Sequence, residues 1–184
     1  MHTPRPRPLA RAFSTIAVAS LLAACADLEP TAPISESLPR PSLAKAESAD
    51  YQATIATMRR ATARYHDLNA AIEDGFFELH PCESLPGEGP VGILYVHLER
   101  LVDGIVDPAA PDALLYEPSE SGQPTLVGVE FAVFDVGQAA PELLGATFQR
   151  EAEFGVFALH AWVWRHNPEG MFAETHPRVS CGEE

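Results

Sequence analysis

The chain has 184 residues, a formal charge of −14 from 12 basic and 26 acidic side chains, and an apolar fraction of 46%. That length allows one domain of ordinary size and little room for a second, and the apolar fraction excludes a mainly disordered chain. The acidic balance, with Lys45 as the single lysine, excludes a nucleic-acid partner, because little here can track a phosphate backbone.

The amino-terminal segment reads as an address. Arg5, Arg7 and Arg11 precede an uncharged run from Ala12 to Ala24, followed by Cys25. A basic segment, a short apolar segment and small residues near a cut site make a secretory signal peptide. As a helix the run would reach about 20 Å, short of the ~30 Å core of a bilayer. The residues Leu22-Ala23-Ala24-Cys25 resemble the lipobox of bacterial lipoproteins. The resemblance implies residues 1–24 as a lipoprotein signal peptide, diacylglycerol attached to Cys25, and an exported protein anchored to the bacterial membrane. Where two membranes are present, it implies the outer one, facing the periplasm. Ordinary cleavage after Ala24-Cys25-Ala26 is the alternative. Cleavage before Cys25 removes three arginines and no acidic residue, leaving 9 basic against 26 acidic side chains and a charge of −17. Such a body is repelled by an anionic lipid surface, so the expected membrane contact is the lipid itself.

Residues 25–46 read as a lipidated, flexible tether, with Pro30, Pro33, Pro39 and Pro41 among Ser, Thr, Ala and Glu. Residues 47–184 read as a single α+β domain. Tyr51, Ile55, Met58, Thr62, Tyr65, Asn69 and Ile72 recur at spacings of three and four. That period predicts one long helix over about 48–74, with Ser48 as N-cap and Gly75 as stop. Short runs rich in Val, Phe, Tyr, Leu and Trp follow: Phe76 to Cys82, Ile93 to Leu98, Ala113 to Glu117, Leu126 to Phe134 and Phe154 to Arg165. Turn residues separate them, and Ala140 to Gly145 suggests a short helical turn. The expected architecture is the long N-terminal helix packed on an antiparallel sheet of about four to five strands. With Cys25 assigned to lipid, Cys82 and Cys181 form an even pair in an exported protein. Bridging them closes a loop of roughly 100 residues and contributes about 4–5 kcal/mol on the chain-entropy model.

Strand alternation sorts the chemistry-bearing side chains. Val127, Val129, Phe131 and Val133 share one face of their strand, and Phe157, Leu159, Ala161 and Val163 one face of theirs. These aliphatic faces are the natural partners of the helix. Glu130, His160, Trp162 and Trp164 then fall on the second face, joined by Tyr95 and His97 from an earlier strand, as a candidate ligand-binding set. His97, Glu130 and His160 would suit a divalent transition metal if the strand order brought them together; otherwise no cofactor is expected. The ordinary reading of His160 is a core imidazole bonded to a carbonyl or to Glu130. His166, Glu169, Glu174 and His176 form a second polar set, near the C-terminus. No nucleophile elbow, zinc-protease motif, phosphate-binding glycine loop or Cys-x-x-Cys pair occurs.

From Gly92 onward the chain resembles a group of uncharacterised exported bacterial proteins. The likeness lies in Val106-Asp107-Pro108, Leu114 to Pro118, Leu126 to Phe131, Leu159 to Phe172 and Pro177 to Cys181. It implies a secreted single domain preceded by a helix and brings no activity. Members carry histidines where this chain has Leu94 and Val156. Two functional readings result. One is a lipid-anchored, non-enzymatic module binding a small ligand or an envelope protein; the other is a metal carrier or metal-dependent enzyme using His97, Glu130 and His160.

Overall fold

In the computed structural model, residues 43–85 and 87–182 are described, with side chains from residue 48 onward. Cys25, the signal segment and the tether up to residue 42 lie outside the described residues. The helical period does not produce the single helix expected over 48–74. Helix α1 (Leu43–Thr62) begins within the expected tether, a 3-10 turn follows at Ala63–His66, and α2 (Leu68–Glu73) is a separate short helix. The break is local chemistry. Asp67 adopts an extended backbone (φ −91°, ψ 108°) and its side chain accepts the Asn69 amide, which starts a new helix. Gly75 ends the helical region at φ 105°, as expected.

The domain is mainly sheet, which corrects the expected α+β architecture of one long helix on four to five strands. Strands β1 (Phe76–Leu85) and β2 (Gly89–His97) form a hairpin, and a one-turn helix, α3 (Leu98–Leu101), leaves β2. Strands β3 (Ala113–Glu117) and β4 (Thr125–Phe134) follow. The helical turn expected at 140–145 is instead a small hairpin of β5 (Glu142–Leu143) and β6 (Ala146–Thr147). Its two loop residues, Leu144 and Gly145, both have positive φ (54° and 79°), as a type I′ turn requires. Strands β7 (Gln149–Glu151) and β8 (Val156–Ala161) complete the set. Six of these strands make one antiparallel half-barrel in the order β1-β2-β3-β4-β8-β7. The unanticipated sixth strand, β7, is three polar residues paired only with β8, so it carries no apolar alternation to announce it.

One sheet face packs against the helices. Val129, Phe131 and Val133 of β4 join Phe157, Leu159, Ala161 and Val163 with Ile55, Met58 and Tyr65 in the main core. The alternation in β4 slips at one point: Leu115 pairs with Gly128 but Tyr116 pairs with Leu126, leaving Val127 as a bulge. Leu126 therefore enters the helix-side core and Val127 the opposite cluster, the reverse of the regular alternation. On that opposite face the C-terminal segment covers Leu115, Val127 and Trp162 with Val179. The Cys82–Cys181 disulfide ties this segment to β1. Among the described residues no helix is long and apolar enough to cross a membrane.

Candidate ligand-binding cavity

The C-terminal segment covers only part of the second face. Beyond it the sheet is hollow, because the central strands carry small residues there. Ala132 of β4 and Ala158 of β8 are direct cross-strand partners, and Ala113 of β3 lines the same space. Where leucines would fill the space, methyl groups leave a cavity of about 270 Å³. Leu94, Val96, Ala132, Val156 and Ala158 supply apolar walls. Leu79, Phe134 and Phe154 also line it while remaining exposed to solvent.

The polar lining is built around Glu130 and His160, directly paired in the β4–β8 register. Both are nearly buried, at 8% and 9% exposure. His160 Nε2 lies 3.2 Å from Glu130 Oε2, and Nδ1 lies 2.6 Å from the Glu174 carbonyl oxygen. With a carboxylate and a carbonyl as partners, both ring nitrogens donate, which makes the ring an imidazolium. Burial opposes that charge, but the Glu130 hydrogen bond and the Glu130 and Glu174 charges prevail and push His160 up to about 9.

Asp112 lines the same cavity and is 1% exposed. It stands just ahead of β3, where its amide donates to the Glu130 carbonyl and its own carbonyl accepts from the His97 amide. Its Oδ2 accepts the Ala132 amide at 2.9 Å, while Oδ1 has no partner among the described residues. Burial, reinforced by the charges of Asp103 and Glu130 and opposed chiefly by the Ala132 amide, raises its carboxyl to about 7. Glu151, also in the lining, is raised by burial first and then by the neighbouring Glu174 charge. Neither Asp112 nor Glu151 stands out in the sequence. Asp112 follows Pro111 at the head of an apolar strand and reads as a turn residue; Glu151 sits in the polar edge strand.

The structure brings together two of the six expected ligand-binding residues, Glu130 and His160. Tyr95 and His97 do share a face, but it is the helix side. Tyr95 stacks edge-on against Tyr116 and donates to Glu78, and His97 bonds the Asp74 carbonyl at 3.0 Å. Leu94 and Val96 occupy the alternating cavity-facing positions of β2 instead. Trp162 is on the second face but buried beneath the C-terminal segment, with its indole donating to the Ala173 carbonyl. Alternation ends with β8 at Ala161, so Trp164 turns to the helix side and donates to Thr62. His97, Glu130 and His160 therefore form no triad, and among the described residues no three His, Cys, Asp or Glu side chains are placed to hold a metal ion. The second polar set is dispersed as well. Glu174 lines the cavity, His176 is buried against Trp162, and His166 and Glu169 are exposed. Leu94 and Val156 both line the cavity. No family model matches this chain, and no curated protein and no solved structure matches it either.

Proposed function

We propose that this chain is a lipid-anchored envelope protein whose domain binds a small, largely apolar ligand in the sheet cavity and performs no chemistry on it. The observation that carries the binding reading is a hollow with apolar walls and a few buried polar groups in its lining, the usual form of a small-molecule site. A volume of about 270 Å³, open on one side, suits a ligand of roughly ten to twenty non-hydrogen atoms. Binding is favoured over acid–base chemistry because His160 has both nitrogens engaged and remains charged near neutral pH. The anchor rests on the lipobox-like Leu22-Ala23-Ala24-Cys25.

The full chain carrying Cys25→Ser, in the absence of membranes, is expected to bind the neutral fluorophore phenylnaphthylamine with one-to-one stoichiometry. Ala158→Trp, which fills the hollow, should abolish that binding. No binding, or binding unchanged in Ala158→Trp, would overturn the cavity reading. For the anchor, Cys25→Ser should move the protein from the detergent phase to the aqueous phase, and unchanged partitioning would overturn it.

A further inference from the structure

We infer that the ligand of this cavity is an apolar amine, whose ammonium supplies the partner missing from Asp112 while its hydrocarbon body lies along Ala132, Val156 and Ala158. This rests on the cavity reading above and goes further, to ligand class. The first ground is charge. Glu83, Asp112, Glu130, Glu151 and Glu174 line the cavity, and no lysine or arginine does. Two histidines, His80 and His160, share the lining, and the two ring donors of His160 are used by Glu130 and the Glu174 carbonyl. A carboxylate-bearing ligand would be repelled, and a plain hydrocarbon would leave the acids without partners.

The second ground is the unpartnered oxygen. Three buried side-chain polar atoms lack a hydrogen bond among the described residues: His97 Nδ1, Asp112 Oδ1 and His176 Nε2. The two imidazole atoms have ordinary explanations. His97 donates through Nε2, so Nδ1 carries only a lone pair. His176 accepts the Arg178 amide at Nδ1, and its ring meets Trp162 edge-on with centroids 4.9 Å apart. Asp112 Oδ1 has no comparable outlet, yet Asp112 is 1% exposed and lines the cavity.

The groups around Asp112 reinforce the point. Glu130 on β4 and Asp103 after α3 are both negative toward it. Arg100 on α3 donates to the carbonyl of the preceding residue, Pro111, and its guanidinium is otherwise committed to Tyr65 and Asp74. An entering ammonium therefore meets an acid with no cation of its own. Because burial raises the Asp112 carboxyl to about 7, protons compete with the amine below that pH.

The test is displacement of phenylnaphthylamine from the Cys25→Ser chain by decylamine, decanol and decanoate. At about pH 8, decylamine should compete at least roughly tenfold better than decanol, and decanoate worse than decanol. In Asp112→Asn, with each competitor measured against that variant's own phenylnaphthylamine affinity, decylamine should come to within about threefold of decanol. In the chain with Asp112 intact, lowering the pH to about 6 should weaken decylamine roughly tenfold and leave decanol unchanged. This arm decides the matter if Asp112→Asn does not fold. Decylamine no better than decanol, or a preference indifferent to both Asp112→Asn and pH, would overturn the inference while the cavity reading stands. Absence of phenylnaphthylamine binding would instead overturn the cavity reading.

Discussion

The two faces of the sheet solve the same burial problem in opposite ways. On the helix side, Phe131, Val129, Leu114 and Tyr116 are fully buried, and polar groups are matched as they enter: Tyr116 donates to the Tyr65 carbonyl, and Tyr65 to Asp74. Arg64 and Arg100 complete the charge on Asp74, whose carboxyl is held low, chiefly by the Tyr65 hydrogen bond. On the other side, alanines stand where bulky residues would close the core, and two of the acids around them, Asp112 and Glu151, are raised rather than lowered. A face arranged for stability lowers the energy of each group it buries. The second face carries an unmet electrostatic cost, which is common where binding is the purpose.

Substitutions on the two faces should separate these regimes. Phe131→Ala removes a fully buried ring from the packed side and should lower stability by roughly 3–5 kcal/mol in denaturant unfolding. Cys82→Ser should cost about 2–5 kcal/mol, Cys181→Ser as much, and the double variant no more, because one bridge is lost in each. Additive losses would contradict the bridge.

On the cavity side the effects are smaller and depend on pH. His160→Gln should cost roughly 2–3 kcal/mol near pH 6, since Glu130 and the Glu174 carbonyl lose a charged donor. The folded-state value of about 9 lies above the ordinary histidine value of 6.5. The contribution is therefore complete below about 6.5 and lost as pH rises through about 9, so the two stability curves should converge in alkali. Asp112→Asn should do the reverse. Its folded-state value of about 7 lies above 3.8, so ionisation in the unfolded chain erodes stability as pH rises through that interval. The variant should gain on the order of 2 kcal/mol near pH 8 and nothing near pH 3. Smallest of all, Ala158→Leu should change stability by less than about 1 kcal/mol, because the hollow accepts the added methyl groups. A large loss there would mean the second face is packed like the first.

Five of the six sheet strands are legible as runs of β-branched, aliphatic and aromatic residues, and so is the cysteine pair. Period-two alternation puts Glu130 and His160 on one face, and the β4–β8 pairing, which the sequence does not reveal, sets them side by side. What escapes depends on interruptions of period. Asp67 restarts the helix, and the Val127 bulge exchanges the faces of Leu126 and Val127. Strand β8 ends at Ala161, so Val163 and Trp164 both reach the helix-side core instead of alternating across the sheet. Asp112 and Glu151 escape for a different reason. Each reads as an ordinary polar residue at a turn or an edge, and only the pairing of β3 with β4 and of β7 with β8 carries them to the cavity.

The most direct test is to map a neutral ligand onto the sheet by backbone amide NMR, titrating phenylnaphthylamine into the Cys25→Ser chain. Saturable shifts are expected, centred on the amides of Ala132, Ala158 and His160 in the cavity, with the helix-side amides of Ile55, Met58 and Tyr65 unmoved. Shifts centred on the helices, or none at saturation, would contradict the cavity reading.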